Sequence, residues 1–230
     1  MAATLAEAFQ EARMLEGPLR LKLAHYTAAM RALAPPFAEA YDRLVASLVS
    51  GEAGSAAPRV GDIMPPFLLP SEEGRLVSSS AIFARGPTVI SFNRGHWCPF
   101  CRLEIASLAD AAGQIGARGG QIVSITPEPA ALLCKLRDAT GARFIFLSDV
   151  DNAYAMELGL IMRVDDHLRS LMEARNLDLA SFHGNDSWFL PLPATFVVDR
   201  DGVIRASRID PDFRTRMEID TILSALPGAR

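Results

Sequence analysis

One junction constrains this chain more than any other stretch. The run Thr88-Val89-Ile90-Ser91-Phe92 is apolar and rich in β-branched residues, the composition of a buried strand. It leads through Arg94-Gly95-His96-Trp97 into Cys98-Pro99-Phe100-Cys101-Arg102, after which the pattern becomes helical. Pro99 suits the first helical position, where a missing N–H costs nothing. A buried strand running into a helix needs a sheet with helices laid against it.

The junction also carries reactive groups. A sulfur at the start of a helix sits near unsatisfied N–H groups and the positive end of the helix dipole, which favour its thiolate. Cys98 is therefore the candidate nucleophile. Cys101, one turn on, is placed to close a disulfide with it and fits a resolving role. Arg94, His96 and Arg102 gather positive charge nearby, and Trp97 offers a flat apolar wall. Two other readings stay open, a metal half-site and a pair of structural thiols. A zinc site would need two more ligands, and neither Cys134 nor the four histidines repeat the close spacing. Cys134, in Leu132-Leu133-Cys134-Lys135-Leu136, reads as a small buried hydrophobe. His25, His167 and His183 read as surface or locally bonded residues, and Glu104 as a solvated carboxylate.

Around the junction the chain divides into two parts. Residues 3–49 read as helical. Leu19, Leu23, Tyr26, Met30 and Leu33 form one stripe, and Phe37, Tyr41, Leu44 and Leu48 another, separated by Pro35-Pro36. Helices this short need a surface to pack on, either their own domain or, as we favour from sequence, a second subunit. Residues 1–50 are thus a helical extension offered as a dimerisation element, which makes a homodimer the expected state. Residues 51–58 are a small-residue linker. From 59 to 230 the texture is α/β. A hairpin turns at Glu73-Gly74, and strands are expected at 88–92, 121–126, 144–147, 195–198 and 203–207. Helices are expected from Cys98, over 128–139, 151–158 and 165–175, and near 215–226, with the rest of 160–192 irregular. Asp199-Arg200-Asp201-Gly202 marks a second hairpin. Alternating strands and helices that end in a hairpin predict a mixed sheet covered on both faces.

The net charge of −4 argues against a nucleic-acid or anionic-membrane partner. No apolar run reaches the roughly 20 residues of a membrane span, and Met1–Gln10 carries no secretory pattern. Three cysteines do not make a disulfide framework, so a reducing, cytoplasmic compartment is expected.

Four segments, in order, resemble the AhpC/TSA, or peroxiredoxin-like, branch of the thioredoxin superfamily. They are Val60–Pro70, Arg94–Arg102, Leu147-Ser148-Asp149 and Pro193–Arg205. The segment Phe182–Trp188 and the leading helices resemble a subgroup with a Cys-Pro-x-Cys dithiol and an N-terminal helical extension. The resemblance implies a thioredoxin-like, peroxiredoxin-type mixed sheet flanked by helices. It aligns Cys98 with the peroxide-attacking cysteine and with the first cysteine of the thioredoxin dithiol. It aligns Pro193 with the proline that faces that dithiol across a cis bond, which would make Leu192–Pro193 cis. Two positions depart from the family pattern. Gly95 stands where a Thr or Ser usually contacts peroxide, and Pro193 stands where an Arg usually polarises it. The expected catalytic residues are Cys98 and Cys101, supported by Arg94, Trp97, Pro99, Arg102 and Pro193, with no cofactor and no metal. The expected substrate is a hydroperoxide, with a thioredoxin-like protein or a small thiol as reductant. The alternatives are a thiol–disulfide oxidoreductase, or a redox sensor or scaffold without turnover.

Overall fold

The computed structural model describes residues 2–227. Three helices open the chain, α1 (Leu5–Met14), α2 (Leu19–Leu33) and α3 (Pro35–Ser50). Thr4 and Glu7 cap the start of α1 reciprocally. Pro35 stops α2 and opens α3, where a proline is tolerated. The start of α2 has no capping side chain of its own. Instead Glu218 accepts the N–H groups of Leu19 and Arg20, at 3.0 and 2.9 Å. That contact pins the opening helices to the far end of the chain.

The hairpin of β1 (Leu68–Pro70) and β2 (Leu76–Ser78) forms as expected. Then come α4 (Ser79–Phe83), β3 (Thr88–Phe92), α5 (Pro99–Ala117), β4 (Gln121–Thr126), α6 (Ala130–Thr140), β5 (Ile145–Ser148) and α7 (Ala153–Glu157). The 160–192 stretch is more ordered than its sequence suggested. It holds β6 (Ile161–Arg163), α8 (Asp166–Glu173), α9 (Leu179–His183) and β7 (Phe189–Pro191), with β6 and β7 paired antiparallel. Strands of three residues are too short to show an alternating pattern, which explains the miss. The chain closes with β8 (Ala194–Val198), β9 (Ile204–Ile209) and α10 (Ile219–Ala225).

The central sheet runs β5-β4-β3-β8-β9. β3, β4 and β5 are parallel, while β8 and β9 are antiparallel to their neighbours. β3 is buried at every residue, which is why it reads as an unbroken apolar run. Its residues divide between the two faces of the sheet. Ile90 and Phe92 join Phe67, Phe83 and Tyr154 on the hairpin side. Val89 joins Leu108 and Ile115 of α5 and Ile222 of α10 on the other. The site lies at the C-terminal end of β3, where the chain turns into α5.

The helical extension packs against this domain rather than standing apart from it. Phe9, Leu23, Tyr26, Met30, Phe37, Tyr41 and Leu44 share one core with Phe100, Leu103, Leu168 and Phe213. Most of the two apolar stripes is thus covered within the chain, while Leu33 is exposed. Aromatic edges fix the packing, with Tyr26 on Phe100 at 5.4 Å and Tyr41 on Phe213 at 5.0 Å between centroids.

Two further expectations are corrected. Residues 51–58, expected as a small-residue linker, form a run of turns that rests on the domain at Gly54 and Ala57. Ala57 is buried, and a Cβ at Gly54 would meet Ile209 Cγ2 at 2.5 Å. The small residues allow close approach, so they add no slack. The Leu192–Pro193 bond is trans, and among the described residues no peptide bond is cis. The Leu192 N–H donates to the Leu160 carbonyl at 3.0 Å, and Ala194 already pairs with Phe92. The backbone therefore runs extended from β7 into β8, where the trans form, favoured for an X–Pro bond by about 0.5–1 kcal/mol, fits without compensation. No helix among the described residues is long and apolar enough to cross a membrane.

Candidate active site

Cys98 is the N-cap of α5, and Pro99 is its first helical residue. The Cys101 N–H donates to the Cys98 sulfur at 3.3 Å, so the sulfur takes the place a Ser or Asp oxygen usually holds. An Arg94 Nη2 donates to the same sulfur at 3.1 Å. Both sulfurs are fully buried. Burial alone would push the Cys98 thiol up. The hydrogen bond from the Cys101 thiol, the charge of Arg94 and that of Arg216 outweigh it and bring Cys98 down to about 5. Cys101 moves the other way. Burial raises it first, and the hydrogen bond and negative charge of Cys98 raise it further. One thiolate and one thiol share the site, and the thiolate is Cys98.

Arg94 is held as a buried cation. Its guanidinium carbon lies 4.2 Å from the Phe213 ring centre, 5.4 Å from Trp97 and 5.7 Å from Tyr41. Burial opposes its charge, but the negative charge of Cys98 opposes that more strongly and raises its affinity for the proton. Trp97 is the expected wall, packed on the arginine. Tyr41 comes from α3, so the extension supplies part of the site. Arg102 does not reach either sulfur with a hydrogen bond. It stacks on Phe9 of α1 at 4.3 Å and lends Cys98 only its charge. Pro193 is buried one residue beyond the Phe92–Ala194 pair, at the end of β3 where the site begins.

Gly95 has a specific reason to be glycine. Its φ is +125°, and a Cβ there would lie 2.4 Å from Glu128 Oε1 and 2.9 Å from Trp97 Nε1. Glu128 is buried and accepts the His96 N–H at 2.8 Å, while its other oxygen pairs with His96 Nδ1 at 2.6 Å. The loop before Cys98 is thus clamped through the space a Thr or Ser would fill. His183 also differs from expectation. It is buried against the Arg94 carbonyl, and burial lowers its pKa to about 4, so it is neutral near pH 7. His25 lies within 3.2 Å of Glu11, and His167 is exposed. Cys134 is half-buried on α6.

Glu104 departs from the solvated carboxylate its sequence suggests. It is buried, not solvated. One of its oxygens accepts from the hydroxyls of Ser91, at 3.1 Å, and Thr195, at 2.8 Å, residues that pair across β3 and β8. The other meets Arg216 Nε at 2.7 Å. Arg216, which sequence reasoning did not single out, reaches over the helix and places Nη2 3.6 Å from the Cys101 sulfur. Nothing local marks Arg216, because it lies in an irregular stretch 115 residues from Cys101. Among the described residues no group of three or more His, Cys, Asp or Glu side chains is placed to hold a metal ion.

The AhpC/TSA family model matches residues 60–207. Two proteins from two strains of Mycobacterium tuberculosis, named as candidate peroxiredoxins, are each 26% identical over 144 residues, 63% of this chain and 80% of theirs. Among solved structures, peroxidoxin BcpB from Mycobacterium tuberculosis superposes with a TM-score of 0.57 at 21% identity, covering 75% of this chain and 98% of that one. Reduced Prx3 from Vibrio vulnificus gives 0.57 at 18% identity, covering 73% and 97%. At these identities the structural likeness speaks for the fold.

Proposed function

The chain belongs to the AhpC/TSA family, and from that premise we propose that it is a thiol peroxidase that reduces hydroperoxides at Cys98. The observation that carries this reading is the Cys98 sulfur itself, an N-cap anion site with Arg94 Nη2 at 3.1 Å and the Cys101 N–H at 3.3 Å. The Cys98 thiolate attacks one peroxide oxygen. The O–O bond breaks, Cys98 becomes a sulfenic acid, and the other oxygen leaves as an alcohol or water after taking a proton from solvent. Cys101 then attacks the Cys98 sulfur, a disulfide forms, and the hydroxyl leaves as water. An external thiol reduces the disulfide. In this reading Arg94 stands where charge moves at the reacting sulfur, a place an arginine across the sheet holds elsewhere in the family.

Burial favours a peroxide over a protein disulfide as substrate. Both sulfurs lie under a roof that includes Phe9, Tyr26 and Tyr41 of the opening helices. A hydroperoxide needs far less rearrangement to reach them than a macromolecule, which must displace the helices. The same reasoning favours a small thiol as reductant, with a thioredoxin-like protein acting once the helices open. A reducing, cytoplasmic setting suits the open dithiol.

Cys101→Ser tests the reading. After one equivalent of hydrogen peroxide, dimedone should label Cys98, and the sulfenic acid should stay available to dimedone until an external thiol is added. A variant that shows no label, or that reduces insulin disulfides while Cys98 ignores peroxide, would move the assignment to a disulfide oxidoreductase. Inert thiols in both assays would leave the sensor or scaffold reading.

A further inference from the structure

We propose that Arg216 is a catalytic residue at Cys101, taking up the charge of that sulfur as the Cys98–Cys101 disulfide closes and again as it is reduced. The proposal rests on the dithiol reading of the previous section. It concerns the second sulfur, which that reading leaves without a partner of its own.

The geometry is specific. Arg216 is buried, with its side chain 1% exposed. Nε is fixed on Glu104 Oε2 at 2.7 Å, and Nη1 donates to the Phe213 carbonyl and, at 2.7 Å, to the Thr215 carbonyl. Those bonds set the plane of the guanidinium and leave Nη2 aimed at the Cys101 sulfur at 3.6 Å. The Arg94 N–H points at the same sulfur from 3.5 Å. A neutral thiol is a weak acceptor and gains little from two donors, one of them charged. A thiolate gains a great deal. Burying a guanidinium is also costly, and Glu104, itself held by Ser91 and Thr195, offsets that cost from the side away from the sulfur. The arrangement puts a fixed positive charge beside Cys101 and locks it there.

Arg216 then acts in a definite order. In the reduced protein the Cys98 thiolate holds the proton on Cys101 through a hydrogen bond and through its charge. Oxidation of Cys98 to a sulfenic acid removes both influences, while the guanidiniums remain. Cys101 loses its proton, its thiolate attacks the Cys98 sulfur, the S–S bond forms as the S–O bond breaks, and the hydroxide leaves as water with that proton. In the reverse half-cycle an external thiolate attacks the Cys98 sulfur. The S–S electron pair moves to Cys101, and Arg216 receives the charge. A second thiol molecule displaces the first from Cys98. Glu104 is a positioning residue, because it touches the arginine and not the sulfur.

The test uses the full-length chain. Arg216→Met alone would strand the Glu104 carboxylate, so the paired variant Arg216→Met with Glu104→Gln neutralises both sides. The Cys98–Cys101 disulfide is formed with diamide in parent and variant, which needs no peroxide step, and its reduction by dithiothreitol is followed across pH. Loss of a charged hydrogen bond to the leaving sulfur should slow reduction by about 10- to 100-fold. In single turnover with peroxide, formation of the disulfide from the sulfenic acid should slow by a similar factor and shift its pH profile to the alkaline side. Oxidation of Cys98 itself should lose much less. A folded paired variant that is reduced at the parent rate with the parent pH profile overturns the proposal. If peroxide leaves Cys98 untouched while the dithiothreitol arm slows as stated, the peroxidase reading fails and the role of Arg216 stands.

Discussion

Gly95→Thr would install the hydroxyl that the family usually carries three residues before the reactive cysteine. It should weaken the protein and not improve it. The residue would have to hold φ at +125°, where a β-branched side chain costs on the order of 1–3 kcal/mol. Its Cβ would also stand 2.4 Å from Glu128 Oε1. That carboxylate cannot swing aside freely, because it is buried and holds the His96 N–H at 2.8 Å and Nδ1 at 2.6 Å. Giving up one such charged hydrogen bond costs about 1.5–3 kcal/mol. Together the two effects amount to about 2.5–6 kcal/mol, or a fall in melting temperature of roughly 5–24 °C for a chain of this size. Circular dichroism melts read the loss, and peroxide consumption at a temperature where the variant is folded reads the chemistry. Gly95→Ala should fall nearly as far, because the backbone and the Cβ cause most of the damage. A threonine variant as stable as the parent and faster with peroxide would refute this account of the loop.

Three other outcomes follow from the site. Cys98 is a thiolate down to about pH 5, so its alkylation by iodoacetamide should hold above that pH and be lost as the pH falls through it. In Arg94→Met the same loss should move well toward the ordinary thiol value of about 8.5, and an unmoved midpoint would remove Arg94 from the site. Tyr26→Ala takes a buried ring off Phe100 and should cost about 3–5 kcal/mol. It should also raise the alkylation rate of Cys98 severalfold, and an unchanged rate would mean that the opening helices do not limit access. Burial lowers His183 to about 4, against about 6.5 in an unfolded chain. The unfolded chain holds the proton between those values, so stability should fall as the pH drops from about 6.5 toward 4. The ring signals in NMR should stay flat until about pH 5, and a midpoint near 6.5 would contradict the buried placement.

Much of this was legible in the chain. β3 shows because it is buried on both faces and therefore uniformly apolar, and Cys98-Pro99-Phe100-Cys101 shows because capping, helix start and thiol spacing coincide within four residues. The closing hairpin shows through Asp199, whose carboxylate accepts from the Asp201 and Val203 N–H groups as its turn sequence implies. What escaped depends on packing between distant segments. Glu104 read as solvated because a carboxylate on a helix usually is. But α5 is covered by the sheet on one side and by the opening helices on the other, and it buries residues 103–108 without a break. No sequence pattern marks a position whose burial comes from layers on both sides. Arg216 escaped because its partners, Glu104 and Cys101, lie more than a hundred residues away. The opening helices showed their stripes but not which surface those stripes cover.

Stopped-flow mixing of the reduced, full-length protein with hydrogen peroxide, and with an organic hydroperoxide, tests the central claim most directly, with peptide mapping of the quenched product. We expect Cys98 to oxidise far faster than an exposed thiolate of similar pKa, followed by a slower first-order step that yields the Cys98–Cys101 disulfide. Oxidation no faster than that of an exposed thiolate, or a product in which Cys98 and Cys101 are not joined, would contradict a peroxidase built on this dithiol.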